Sequence, residues 1–471
     1  MSDSPLARFP WTGAVLLTAL PLLCLLSLAL WQTPVPVSEA VAIFEDVANQ
    51  PPTRFLTPDT SYYRPLFHIT MSTIWNGAGT LDLKLALIKL LQIVPFLVLV
   101  VMLVAHLRPR SALDAVAAAV AVAVLVGNPG LRDNLEIPLS YTIAGMPLAL
   151  AAWIVVNREP AWWHLPGLIL LALAATGFKE QGLVLMPLVI VAWWTRAPGA
   201  SRAAAVSLGL LAVGYVVLRL AWRGSWPMFE QAIGLGFGEI EPTEAVARFG
   251  SFPYLIYAYS SVSTIANVLF AEPTRGTFSI IRAIVGGQAE TWQWIHLGSS
   301  AFMTALIGWW GIRALRRVRA EGWTVEARAF LVLLVSLLAC GALSFNYSRD
   351  RLGGMAVPFY ALAAYYAFRL AAARVSASGR LHMASAVAGL LLLSAGWQIR
   401  AVETLERVRL TAYRNQVEWL SALPARRAEF AHRTTYMRIM ESMVAQGVTR
   451  TPPRPTRYPE RLADVLGVPP R

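Results

Sequence analysis

The sequence predicts an all-α polytopic membrane protein with about eleven transmembrane helices. Composition is the first reason: 56% of the 471 residues are hydrophobic and 14% are charged, whereas a soluble domain carries about 25% charged residues. Run length is the second, because the apolar residues fall in stretches near the length a helix needs to cross about 30 Å of hydrocarbon. The third is the placement of arginine beside those stretches, where topology determinants lie. Mean hydropathy is +0.53.

The net charge of +13 is accounted for by these arginines, so no nucleic-acid partner is expected. The chain has three lysines, Lys84, Lys89 and Lys179. Where arginine is the ordinary cation, a lysine is informative. Cys24 and Cys340 both lie in apolar runs, which builds neither a disulfide framework nor a zinc site.

The first run, residues 11–31, is long for a signal-peptide core and lacks a small-residue cleavage site, so it reads as an uncleaved anchor. Further runs cover 85–107, 113–126, 139–156, 165–178, 182–194, 203–222, 295–312, 330–345, 355–370 and 381–397. Arg108, Arg110, Arg158, Arg196, Arg202, Arg313, Arg316, Arg317, Arg319, Arg369, Arg374 and Arg380 flank alternate short loops. One threading places them all in the cytoplasm. It puts the N-terminus inside and requires that residues 254–284 lie along the outer surface as interfacial helices. Residues 1–397 then form the transmembrane domain, with large outer loops at 32–84 and 223–294, and 398–471 form an extracytoplasmic tail.

Residues 165–194 read as a hairpin. As one helix they would span about 45 Å, and as two arms about 20 Å each. Arginine and tryptophan occur at both ends, with Arg158, Trp162 and Trp163 before and Trp193, Trp194 and Arg196 after. Both ends therefore belong to one side. The tip is Lys179-Glu180-Gln181-Gly182, below the opposite surface. Charges at such depth are costly and are usually functional. The alternative is an internal salt bridge between Lys179 and Glu180.

On this threading ionisable groups collect at the outer face. The first loop carries Glu39, Glu45, Asp46 and Asp59, then Ser61-Tyr62-Tyr63-Arg64-Pro65-Leu66-Phe67-His68. A short turn carries Asn128, Pro129, Arg132, Asp133 and Glu136, and another carries Asn346-Tyr347-Ser348-Arg349-Asp350-Arg351. Singly, the acidic residues read as solvated surface, Arg132-Asp133 as a local ion pair and Arg349-Asp350-Arg351 as interfacial anchoring. Their convergence on one face carries the functional reading.

Tyr63-Arg64-Pro65-Leu66, after an acidic first loop, and Phe178-Lys179-Glu180-Gln181-Gly182, at a hairpin tip, resemble motifs of the GT-C superfamily of membrane glycosyltransferases. The likeness is to bacterial relatives of the transmembrane O-mannosyltransferases that carry TPR repeats in eukaryotes. This chain has no TPR tail, offers Glu45-Asp46 where such relatives have an Asp-Asp pair, and has Asn128-Pro129 roughly where they often have His-Pro.

The resemblance implies an inverting transfer of a sugar from a polyprenyl-phosphate donor to an acceptor hydroxyl at the outer face of a bacterial cytoplasmic membrane. The acceptor is a glycan, a lipid or a protein. A carboxylate, Asp46 or Glu45 with Glu39 as substitute, is the expected general base. Arg64, Lys179, Arg349 and Arg351 are the expected phosphate contacts. Tyr63 and His68 are placed to orient the sugar or the acidic loop, and Glu180 belongs to the same substrate-binding group. Some relatives use a divalent metal, but no metal-ligand spacing is clear here. The competing readings are a transporter or flippase of a lipid-linked envelope precursor, which calls for inverted repeats and broken helices at the midplane, and a silent scaffold or acyltransferase-like enzyme.

Overall fold

The computed structural model of the protein describes residues 9–33, 43, 47–48, 50–56, 63–77, 79–136, 141–223, 233–235, 238–240, 247, 254–270, 283–345, 347–348, 350–376, 384, 388–389, 392–402, 405, 437 and 441. It is an all-α membrane protein with a small sheet at one end. The helices are α1 (Phe9–Gln32), α2 (Pro65–Gly77), α3 (Leu81–Leu107), α4 (Ala112–Gly127), α5 (Pro129–Glu136), α6 (Tyr141–Val156), α7 (His164–Phe178), α8 (Leu185–Trp194) and α9 (Arg202–Arg223). They continue with α10 (Tyr254–Phe270), α11 (Thr291–Glu321), α12 (Val325–Leu343) and α13 (Val357–Ser376), and 392–402 are also helical. Four segments are long and apolar enough to cross a membrane: Trp11–Gln32, Leu81–Leu107, Val325–Leu343 and Leu352–Val375. Shorter apolar helices include α4, α7 and most of α6 and α9.

Local signals set several boundaries. Thr80 and Ser111 cap α3 and α4 by accepting from Leu83 N at 3.2 Å and Asp114 N at 3.1 Å. Such caps satisfy backbone donors that the first helical turn leaves open. Pro65 opens α2, where a missing N–H costs nothing.

The arginine-bearing segments gather at one end of the bundle. There Arg369 pairs with Asp114 at 3.5 Å, and Arg374 lies over Trp309 at 5.0 Å. Trp194 meets Trp323 at 5.4 Å, and the His106 imidazole accepts from Trp153 Nε1 at 3.1 Å. The opposite end holds Asn128, whose amide donates to Val268 O at 3.0 Å, and Ser344, whose hydroxyl donates to Thr264 at 2.8 Å. Gly127, at the end of α4, packs on Trp397, and Trp397 lies 6.4 Å from Tyr360. Trp397 therefore lies at the Tyr360 end of α13, and Arg374 at the other end. We expect C-terminal reporter fusions after Gly379 and after Arg400 to report opposite sides of the membrane. The same side for both would break the threading.

Helix α10 covers the described part of the segment expected along the outer surface. It lies across the ends of other helices. Tyr257 packs on Phe345, Thr264 meets Ser344, and Ile265 and Ser261 lie against Gly341. These contacts run over nine residues of α10 and meet the end of α12 and the two residues after it. The finding differs from a simple surface helix in one respect: Ser260, Ser263, Thr264 and Asn267 are buried against the bundle. The sequence reading also did not anticipate a sheet. Strand β1 (Ile233–Leu235) pairs antiparallel with β2 (Gly238–Ile240) and parallel with β3 (Tyr347–Ser348). This ties the second large loop to the segment that leads into a 3-10 turn at Asp350–Ala356.

Candidate functional site

The 165–194 stretch is a hairpin. Helix α7 ends at Phe178, a 3-10 turn covers Glu180–Val184, and α8 follows. Past α8, Gly199 N donates to Val156 O at 2.9 Å, and Gly199 packs beside His164, the first residue of α7. The two ends of the hairpin are therefore together. The break follows from the backbone: Lys179 is extended, with φ −160° and ψ 146°, and Gly182 N returns to Lys179 O at 2.8 Å. A Cβ at Gly182 would fall 2.2 Å from Ala175 C and 2.3 Å from Thr176 N, so the tip closes onto α7 only with glycine there.

Two segments far apart in the chain interlock at this tip. Leu66 fills the notch at Gly177, where a Cβ would lie 2.8 Å from its Cγ. One turn of chain away, Arg64 grips Glu180 side-on, with Nε donating to Oε2 at 2.9 Å and Nη2 to Oε1 at 2.8 Å. The side chains are 13% and 11% exposed, so the pair is largely desolvated. Two parallel charge-assisted bonds fix the geometry as well as the charge. With Lys179 also buried, the three side chains leave one net positive charge. Gln181 accepts from the Thr142 hydroxyl at 2.8 Å, which ties the tip to α6.

The expectations divide as follows. Glu180 is held by Arg64, because the start of α2 brings a planar guanidinium in line with the carboxylate, and Lys179 is a second cation acting on the same carboxylate. Arg64 was expected on the donor phosphate, yet two of its donors are committed to Glu180. Tyr63 O accepts from Tyr215 of α9 at 3.5 Å. His68 Nδ1 donates to Arg64 O at 2.9 Å, since a carbonyl can only accept. Burial holds the His68 pKa below the ordinary imidazole value, opposed by that bond and aided by the Arg64 charge. A neutral Nδ1–H imidazole therefore backs the turn that presents Arg64.

Asp46, Glu45, Glu39 and Arg349 lie outside the described residues. Beside them, Val47 is fully buried, Val47 O accepts from Asn76 at 3.2 Å, and Gln50 O accepts from Ser72 at 2.8 Å. The loop is thereby pinned to α2, the helix that Arg64 introduces. Arg351 is described in its backbone only, within the 3-10 turn Asp350–Ala356, which packs against the hairpin tip and α5. Arg132 and Asp133 are described in backbone alone. Asn128 is structural: its side chain accepts from Gly130 N at 3.0 Å and donates to Val268 O. Among the described residues no group of three His, Cys, Asp or Glu side chains could hold a metal.

Sequence reasoning missed an apolar cavity of about 500 Å³ between α7, α8 and α9. Leu173, Met186, Leu211 and Leu218 line it, and Thr176 and Tyr215 stand at the end nearer the tip. Tyr215 connects it to Tyr63 and so to the Arg64 turn. No sequence pattern marks such a cavity, because its walls are ordinary membrane-helix residues.

No protein-family model, curated protein or solved structure matches the chain.

Proposed function

We propose that this chain is an inverting glycosyltransferase of GT-C type, which moves a sugar from a polyprenyl-phosphate donor to an acceptor hydroxyl at the outer face of a bacterial cytoplasmic membrane. The observation that carries the reading is the interlock of Tyr63-Arg64-Pro65-Leu66 with Lys179-Glu180-Gln181-Gly182 through Arg64–Glu180. The two motifs behind the resemblance meet in one unit, with the tip buried and Tyr63–Leu66 half-buried. In this reading about eleven helices cross the membrane, with the N-terminus inside and the tail outside.

The chemistry assigned to the site follows from charge. Transfer leaves a phosphate on the lipid, and fixed cations stabilise the charge that grows there. Glu180 orients Arg64, and Lys179 adds a second buried cation beside it. Arg351, whose backbone belongs to the 3-10 turn beside the tip, and Arg349, two positions before it in sequence, add guanidinium donors suited to a phosphate. The cavity between α7, α8 and α9 offers an apolar wall for the first prenyl units. A first-loop carboxylate takes the acceptor proton.

The test is incubation of the purified protein with a panel of radiolabelled polyprenyl-phosphate sugars. Transfer of label from one of them supports the reading, and no transfer across the panel with each acceptor class sinks it. Arg349→Ala and Arg351→Ala are expected to raise the donor concentration needed for half-maximal rate while the protein stays folded. Unchanged donor dependence in both, and in the double variant, removes them from the site.

A further inference from the structure

We infer that the arginine-rich end of the α11–α12 pair holds the phosphate of an anionic phospholipid headgroup, between Arg313 and Arg328. Arg328 is 6% exposed although it lies in the first turn of a membrane helix, where an arginine would ordinarily extend its guanidinium to the surface. Its Nε has no hydrogen-bond partner among the described residues, nor has Nε of Arg313. The two arginines flank one contact. Gly311 of α11 seats the ring of Phe330 of α12. Arg313 follows Trp310 by three residues and so shares its face of α11, and Arg328 lies within electrostatic reach of Tyr366, the ring on which Trp310 stacks. Trp310, 1% exposed, completes the contact, 5.9 Å from Phe330 and stacked at 5.6 Å on Tyr366. Its Nε1 is also unpartnered among the described residues.

A guanidinium cannot shed its proton to escape burial, and an uncompensated buried charge is strongly destabilising. The nearby carboxylates do not meet the need. Asp114 is paired with Arg369, and Glu326 is two positions from Arg328 on one helix, a spacing at which side chains do not face each other. An anion from outside the chain does meet it. Basic pockets between helices on one side of a membrane suit phospholipid headgroups, and the exposed Trp309, Ile312, Leu334 and Leu338 give the acyl chains an apolar wall on the same two helices.

The experiment uses the full chain, delipidated in neutral detergent and titrated with dioleoyl phosphatidylglycerol, dioleoyl phosphatidylethanolamine or inorganic phosphate, with thermal unfolding and native mass spectrometry as readouts. Phosphatidylglycerol is expected to raise the melting temperature and to remain bound in the gas phase. Arg313→Gln and the Arg313→Gln/Arg328→Gln double variant should need about tenfold more of it, the loss of a charge-assisted contact. Arg316→Gln/Arg317→Gln should need about the same amount as the native chain. An equal response to phosphatidylethanolamine, a full response to inorganic phosphate, or an equal loss in the Arg316/Arg317 variant would overturn the proposal. Should the double variant fail to fold, Arg313→Gln decides alone: an unchanged phosphatidylglycerol response in it refutes the site.

Discussion

Asp46→Asn is expected to leave expression and lipid binding intact and to lower turnover by at least about 10²-fold, the low end of what a positioned general base contributes. A hydroxyl that attacks an anomeric carbon must lose its proton at or just after the transition state. A carboxylate within hydrogen-bond reach can accept it, and an amide of the same shape cannot. The residue after Asp46 is buried and anchored to Asn76 of α2, so the loop here is held against the helix that carries the Arg64 turn. Glu45→Gln should do less, and Glu39→Gln least. Near-normal turnover in Asp46→Asn with loss of turnover in Glu39→Gln would move the base while leaving the transferase reading in place. No effect from any of the three would remove the proposed chemistry.

The second large effect is on stability. Removing one member of a largely buried ion pair leaves the other charge without compensation, which costs about 3–5 kcal/mol. Arg64→Met and Glu180→Gln should therefore each lower the melting temperature sharply in detergent. Joining the change Arg64→Met to Glu180→Leu should recover much of the loss, because two apolar side chains of similar volume carry no charge to strand. Additive losses in the double variant would mean that the pair does not hold the tip. Turnover separates structure from chemistry: the double variant folds yet lacks the guanidinium that fixes the tip, so its rate should stay low.

Much of the scaffold was legible because the bilayer writes it into composition. The runs at 85–107, 113–126 and 203–222 fall within one to four residues of α3, α4 and α9, since the hydrocarbon rewards the same residues the helix buries. The hairpin was legible from Arg158 and Arg196, which could not both be cytoplasmic on a single crossing. The pairing of Arg64 with Glu180 was not. Their separation of 116 residues leaves no periodic trace, and Glu180 had a nearer cation in Lys179. Asn128 stood beside the expected chemistry and turned out to hold α5 and α10 together. The three short strands escaped notice because runs of two or three residues are too brief to alternate.

The order in which the ribosome delivers the two halves of the latch has a consequence for biogenesis. Arg64 is synthesised long before Glu180, so α2 and its guanidinium are already in place when the short hairpin is inserted. The carboxylate need not remain alone at depth: it docks on a partner that waits for it. The latch also sets how far the hairpin penetrates. A single residue inserted into α7 would move Glu180 by about 1.5 Å along the axis and turn it by roughly 100° around it, beyond the reach of two bonds that demand a common plane. Insertions between α8 and α9 would leave Glu180 in place on its arm but would disturb the Gly199–Val156 bond that closes the base of the hairpin. A change of length is therefore felt at two different points of one hairpin, at the latch through Glu180 and at the base through Gly199.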